Sequence, residues 1–222
     1  MTANDASAQM RAYYAARAPY YDAVYLKPER AGDIAYLADY LPAAFAHLSV
    51  LEVACGTGYW TQHVARTAAR MVATDATQET LDFARLRPHA ERVTFRREDA
   101  YDLPGELGMF DGALAALWFS HVPIESRARF IGSLHARLHP GAKVVFLDNS
   151  EVQCRELPIA ETDACGNTYQ CRELRDGTVH RVLKNFPTRA ELVQLLSPFA
   201  SSLSYRPLEN FWLFEYRLAG PA

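Results

Sequence analysis

The stretch Val50-Leu51-Glu52-Val53-Ala54-Cys55-Gly56-Thr57-Gly58 decides the fold. An apolar run carrying one acid ends in a Gly-x-Gly turn, and residues 59–69 behind it read as a helix. Gly56 and Gly58 lack a Cβ, so the backbone there can bend sharply and approach a ligand closely. Such a turn belongs at the carboxyl end of a strand, where doubly wound sheets bind their ligands. It does not match the phosphate loops. The dinucleotide fingerprint wants a third glycine at position 61, where Thr61 stands, and no Gly-Lys-Ser/Thr follows. Glu52, just before the turn, suits a cationic ligand group better than a pyrophosphate.

Outward from this stretch, short apolar runs alternate with helical patterns, which implies βαβ units and a parallel sheet. Residues 71–75 form a second strand, and Thr77 is placed to cap the next helix. Residues 93–97 and 110–119 give strands three and four, the latter apolar throughout as a central parallel strand should be. Phe130, Leu134 and Leu138 repeat at helical spacing over 124–138, His139-Pro140-Gly141 stops that helix, and 143–149 is strand five. Residues 150–186 are polar, hold three of the four cysteines and read as an insertion or lid. Thr188 to Glu191 matches a capping box for a helix over 188–197, and two closing strands follow near 202–207 and 211–218. Upstream, 5–45 is helical and aromatic. Pro19 breaks it between the pairs Tyr13-Tyr14 and Tyr20-Tyr21, and Pro42 ends a second helix carrying Ile34, Leu37, Ala38 and Leu41. The expectation is one domain over 1–222: a helical cap (1–45), a ligand-binding core (46–149), the insertion (150–186), and a C-terminal helix with strands (187–222).

Lys and Arg number 23 against 26 Asp and Glu, a formal charge of −3, with a pI near 6.2. No basic excess is left to neutralise phosphates, so nucleic acid is not an expected partner. No apolar run reaches the roughly 18 to 20 residues of a membrane helix, and the polar start MTANDASAQM lacks an apolar leader core. Four cysteines without a CxxC pair suggest reduced thiols, no metal site and a cytoplasmic protein. Monomer and homodimer both remain open.

Two more acids follow the glycine turn. Asp75 closes the second strand 17 residues after Gly58, where a carboxylate accepts hydrogen bonds from a ribose diol; a helix cap is the alternative. Asp99 follows the third strand, where it can receive an adenine amino group or be an ordinary loop residue.

These residues resemble the class I S-adenosylmethionine-dependent methyltransferases of small-molecule type. LEVACGTG, VATD, REDA, FDGALAALW and LHPGAKVVFLD match that family in order and spacing over roughly 45–150, and YYAARAPYYD looks like its N-terminal cap. The resemblance implies a seven-stranded, mostly parallel Rossmann-like sheet with an antiparallel last strand. It implies S-adenosylmethionine as cofactor. Gly56 and Gly58, with Ala54 and Cys55, would pass the methionine moiety, and Glu52 would organise the loop. Asp75 would hold the ribose, Ala76 would lie against the adenine, and Asp99 and Ala100 would bind it. Leu117 would lie beneath the sulfonium, and Tyr14 and Tyr21 are candidates for the cofactor carboxylate. Many family members that methylate amides keep Asn/Asp-Pro-Pro-Tyr/Phe after strand four. This chain has Leu117-Trp118-Phe119-Ser120, which argues against a nucleic-acid or protein amide acceptor.

A sulfonium methyl is already activated, so alignment supplies much of the catalysis, and a base is needed only where the nucleophile must lose a proton. His121, after strand four, is the first candidate, with helix-entry packing as its alternative. His180 in the insertion is the second, with a solvent-facing turn as its alternative. Tyr20, Trp118, Phe119 and Tyr169 are candidate substrate contacts; Trp212 reads as core. Arg155, Arg172 and Arg175 are candidates for an anionic group. The expected reaction is methyl transfer to oxygen or nitrogen of a small aromatic or heteroaromatic metabolite. A carbon acceptor of quinone-type biosynthesis and a non-catalytic cofactor-binding protein are the alternatives. A nicotinamide oxidoreductase would need the missing glycine, and a metal-dependent catechol-type enzyme has only Asp148 and Asn149 as a hint.

Overall fold

The apolar run before the glycines becomes a strand because both its faces are covered. Leu51 and Val53 belong to one buried cluster and Val50 to another, on opposite sides of the sheet. In the computed structural model, which describes residues 3–220 with side chains from Gln9 onward, this strand is β1 (Ser49–Val53). The expectations for 1–222 therefore fall outside the described residues at Met1, Thr2, Pro221 and Ala222. The chain enters through α1 (Ala3–Arg17), a 3-10 segment (Ala18–Tyr25) and α2 (Ala31–Ala44). After β1 come α3 (Thr61–Val64), β2 (Arg70–Asp75), α4 (Gln78–Ala84), β3 (Val93–Arg97), β4 (Phe110–Ala116), α5 (Arg127–His135) and β5 (Leu138–Asn149). The rest is β6 (Glu161–Thr162), β7 (Thr168–Glu173), β8 (Val179–Leu183), α6 (Arg189–Leu196), β9 (Ala200–Pro207) and β10 (Phe211–Leu218).

The main sheet has seven strands in the order β3-β2-β1-β4-β5-β10-β9. β1 to β5 are parallel, and β10 runs antiparallel to both its neighbours, as expected. The chain winds outward from β1 to β3, then returns to β4 on the other side of β1. That reversal opens a crevice at the carboxyl ends of β1 and β4. Alternation along the strands fills two cores. Ala113, Val144, Phe146 and Phe214 meet Phe130, Leu134 and Leu192 on one face, while Leu114, Val145, Leu147 and Leu213 meet Leu37, Leu41, Trp60 and Val64 on the other. No helix among the described residues is long and apolar enough to cross a membrane.

Several boundaries differ from the sequence reading for local reasons. The helix expected over 59–69 shortens to Thr61–Val64 and continues as turns. Pro42 lies inside the last turn of α2 rather than ending it, and the freed end is tied down by Thr67 Oγ1, which donates to the Pro42 carbonyl at 2.7 Å. His139-Pro140-Gly141 does not stop the helix: α5 already ends at His135, and the tripeptide lies within β5. Phe110 pairs with Leu138 and Gly112 with Lys143, so the extra residues bulge out of the ladder, with Gly141 at φ +81°. Thr77 stands at the N-cap of α4 without a side-chain cap bond. The Thr188–Glu191 capping box has both of its hydrogen bonds.

The largest difference is in 150–186. This polar stretch holds a three-stranded antiparallel sheet, β6-β7-β8. Tyr169, Leu174, Val182 and Leu183 form one buried cluster with Met10 and Tyr13 of α1, so cap and insertion form one roof. The sequence shows little periodicity here because burial does not alternate: Tyr169 and Gln170 of β7, like Val182 and Leu183 of β8, are buried side by side, and Gln170 and Arg172 are polar. Polar bonds fix the roof to the sheet. Lys184 Nζ donates to Asp148 Oδ1 at 2.8 Å and to Ser120 Oγ at 2.6 Å, and Asn185 N–H donates to the Ser120 carbonyl at 2.7 Å. Asp148 and Lys184 are out of contact with water. Removing one partner of such a pair leaves an uncompensated buried charge. Lys184→Met is therefore expected to lower the unfolding free energy by about 3–5 kcal/mol, read by urea denaturation; a loss below about 1 kcal/mol would mean that the roof docks without this charge.

Candidate active site

Two strained residues mark the crevice. Ala54 (φ +52°) follows β1, and Leu117 (φ +56°) follows β4. A left-handed conformation costs a residue with a side chain on the order of 1–2 kcal/mol. Both line the same cavity, at the strand ends where the topology opens. Gly56 (φ +56°) lies between them, and a Cβ built on it meets nothing within 4 Å. Gly58 (φ +75°) does different work: a Cβ there would come within 3.0 Å of Ala84 in α4. So Gly56 leaves room beside the cavity, and Gly58 lets α4 close on the loop.

Asp75 holds this loop to β2. Its Oδ2 accepts the Gly56 N–H at 2.9 Å, and its Oδ1 accepts the Thr77 N–H and the Thr80 hydroxyl, each at 2.9 Å. Burial pushes its carboxyl above the ordinary carboxylate range, against the pull of these bonds. A carboxylate offers about four lone-pair sites, so roughly one remains for a ligand. Ala76, the exposed Asp99 carboxylate and the buried Ala100 line the same cavity, which extends to Trp118 and Tyr101. Asp99 Oδ1 accepts the Tyr101 N–H at 2.9 Å. Glu52 lies beneath the loop rather than in the cavity lining. It is buried on β1, its Oε2 has no hydrogen-bond partner, and burial pushes its carboxyl up to about 8.

His121 stands on the opposite wall with Tyr14 and Tyr21. The Leu183 carbonyl, which can only accept, lies 2.6 Å from its Nδ1, so Nδ1 carries the hydrogen. Nε2 is then an acceptor, and the Tyr14 hydroxyl donates to it at 2.8 Å. Arg172 Nη1 donates to the same phenol oxygen at 3.3 Å. Burial lowers the His121 pKa well below its ordinary 6.5, and the Lys184 and Arg172 charges lower it further. Burial also pushes the Tyr14 phenol well up. At neutral pH the pair is thus a neutral imidazole accepting from a neutral phenol. Tyr14, Tyr21, Leu117 and His121 also line a second cavity, beneath the roof, whose other walls carry Arg17, Lys27, Arg30, Arg172 and Lys184.

The structure corrects several expected contacts. Phe119 is fully buried and stacks on Phe146 at 5.3 Å, so it is core and cannot touch substrate. Tyr169 gives its hydroxyl to Asp163 at 2.9 Å under the Arg181 guanidinium, inside the roof. Tyr20 lies under Arg175 at 4.3 Å, also outside both cavities, and Arg155 lines neither. His180 reaches Thr178 Oγ1 at 3.2 Å and packs on Tyr13, away from the crevice. Trp212 is core. Asp148, the hint of a metal site, is tied to Lys184 and Ser120. The reading missed Tyr25, Tyr59, Trp60 and Tyr101 among the cavity walls, and Arg17, Arg30 and Lys184 in the second cavity. Aromatic pairs such as Tyr25 stacked on Tyr59 (3.6 Å) had no periodic signal to mark them.

Comparison with known proteins places this geometry. Residues 50–142 match the family model described as a methyltransferase domain. The ubiquinone biosynthesis O-methyltransferase of Xanthomonas oryzae pv. oryzae is 30% identical over 183 residues, covering 78% of this chain and 73% of that protein. The biotin biosynthesis bifunctional protein BioHC of Cellvibrio japonicus is 35% identical over 92 residues, 40% of this chain but only 18% of that longer protein. Among solved structures, DhpI in complex with SAH superposes with a TM-score of 0.82 at 28% identity, covering 99% of this chain and 100% of that one. The chain belongs to the S-adenosylmethionine-dependent methyltransferase family.

Proposed function

We propose that this chain transfers a methyl group to an oxygen or nitrogen of a small-molecule acceptor held beneath the roof. The observation that carries this reading is the shared wall. Tyr14, Tyr21, Leu117 and His121 line both the crevice at the strand ends and the roofed cavity, so donor and acceptor meet across four residues. A roofed cavity suits a small metabolite rather than a polymer. Trp118, Tyr101 and the tyrosines supply flat apolar walls, which fit an aromatic or heteroaromatic acceptor. We also propose that the protein acts in the cytoplasm, on the absence of any disulfide among its four cysteines.

The crevice fits S-adenosylmethionine, which supplies an activated methyl on its sulfonium. Gly56 leaves open space that would take the methionine moiety, and Asp75 would offer its remaining lone pair to the ribose. Asp99 and Ala100 line the same crevice and would hold the adenine, and Leu117 would lie beside the sulfonium. An acceptor hydroxyl that must ionise has a route for its proton. The Tyr14 hydroxyl sits between the roofed cavity and His121 Nε2, so Tyr14 passes a proton to Nε2 as it takes one from the acceptor.

Asp75→Ala is expected to weaken S-adenosylhomocysteine binding by about 1–3 kcal/mol, measured calorimetrically with NAD as control. A dinucleotide heat in place of one from the sulfur ligand would reject the reading. His121→Asn keeps a donor for the Leu183 carbonyl and removes the acceptor nitrogen. It should cut kcat roughly 10²- to 10⁴-fold with S-adenosylhomocysteine affinity unchanged. The proton acceptor must be neutral, so activity is lost as pH falls through the His121 pKa. Burial and the two neighbouring cations place that acid limb well below pH 6.5. A kcat–pH profile whose acid limb lies at or above 6.5 would remove His121 from this role.

A further inference from the structure

We propose that the methyl acceptor carries an oxyanion, a carboxylate or phosphoryl group, held in the roofed cavity by Arg172, Arg30 and Arg17. This rests on the methyl-transfer reading above and names its substrate class.

The argument is charge balance. Five cations line the cavity, and two have ion-pair partners: Lys27 with Glu156, and Lys184 with Asp148. Five less two leaves three guanidinium groups without a carboxylate in ion-pair distance among the described residues, in a chain whose formal charge is −3. Arg172 donates only to neutral oxygens, Gln170 Oε1 at 2.8 Å and Tyr14 Oη at 3.3 Å. Arg30 gives Nη1 to the Val24 carbonyl at 3.4 Å, rests over the Phe211 ring, and leaves Nε buried with no partner. Arg17 donates to Tyr13 Oη at 2.9 Å. Arg30 is 5% exposed and Arg172 6%. A guanidinium cannot shed its proton, and taking one out of water costs several kcal/mol. The missing counter-charge therefore comes from a ligand, and a guanidinium fork matches the geometry of a carboxylate or phosphate. Asn149 Oδ1 and Gln153 Oε1, in the same cavity, are buried acceptors without partners. They suit a hydroxyl or amino hydrogen on the same small acid.

A second source of negative charge is the cofactor's own carboxylate. The three arginines line the roofed cavity alone, whereas the guanidinium bordering the cofactor crevice is Arg11. That separation assigns Arg172 to the acceptor.

The test uses calorimetry on the full chain, wild type, Arg172→Met and Arg172→Lys, with folding checked by near-UV circular dichroism. Each protein is titrated with S-adenosylhomocysteine, then with inorganic phosphate, methylphosphonate or glycolate in its presence. The expected result is salt-sensitive binding of at least one oxyanion to wild type. Arg172→Met should weaken it tenfold or more and Arg172→Lys less, with S-adenosylhomocysteine affinity changed less than twofold in both. Loss of S-adenosylhomocysteine affinity in Arg172→Met with oxyanion binding intact would give this guanidinium to the cofactor and overturn the proposal. No oxyanion binding to wild type, or binding indifferent to both substitutions, would also overturn it. If S-adenosylhomocysteine itself fails to bind, the methyl-transfer reading falls, and the oxyanion titrations of the free protein judge the anion site by the same criteria.

Discussion

A lysine and an aspartate buried away from water hold the two halves of the site together. Asp148 is the penultimate residue of β5, and Lys184 follows the last strand of the roof. Burial alone favours the neutral form of each; the mutual attraction keeps the Asp148 carboxyl below its ordinary range. Desolvation is repaid only where the remaining lone pairs are satisfied, and Asp148 also accepts the N–H groups of Ser120 and Asn149 and the Ser120 hydroxyl. The next bond follows from this one. Ser120 precedes His121 and Leu183 precedes Lys184, so the ion pair sets the imidazole against the Leu183 carbonyl. The tautomer of His121, and hence the direction of the Tyr14 hydrogen bond, depends on that placement.

The opposite wall is set by backbone strain rather than by charge. Ala54 and Leu117 adopt left-handed conformations just beyond the ends of two adjacent parallel strands, and each is held by a ladder-end bond beside it. Cys55 N–H donates to the Thr74 carbonyl at 2.9 Å, and Leu117 N–H donates to the Leu147 carbonyl at 2.7 Å. Strain of this kind persists only where the surroundings over-determine it. Here the central sheet does so, with Val53 and Leu114 fully buried just before the two kinks. The Asp75 bond to Gly56 then fixes the loop from its far side.

The fold was legible because its signals are local. The apolar runs of β1, β2 and β4 and the glycine turn stand out in sequence, and Asp75, Asp99 and Leu117 lie at strand ends that the pattern locates. His121 was legible for the same reason. Phe119 was misplaced by one step of orientation: in a tight 3-10 turn after β4, neighbours point apart, and Phe119 enters the core while Trp118 meets the cavity. The acceptor side was not legible. Arg17, Arg30 and Lys184 come from three segments more than ten residues apart, brought together by the roof, and nothing in their spacing announces it. Arg155, Arg172 and Arg175 look alike in sequence, and only the fold separates them: Arg172 is carried into the cavity by β7, Arg155 ends a 3-10 turn, and Arg175 lies in the turn beyond β7.

The two cavities carry opposite character, and this bears on how the ligands bind. Asp75, Glu98 and Asp99 outnumber Arg11 around the crevice, whereas guanidinium and ammonium groups outnumber Glu156 around the roofed cavity. A sulfonium between them is drawn to the first and repelled by the second. At an effective dielectric constant near 20, like charges about 8 Å apart repel by roughly 2 kcal/mol. The negative acceptor group proposed for the roofed cavity would cancel that repulsion, so donor and acceptor binding would reinforce each other. By linkage the gain is the same whichever binds first. Methyl transfer neutralises the sulfur and removes the attraction. With the acceptor proposed above, the same fixed charges that would assemble the ternary complex would also loosen its products.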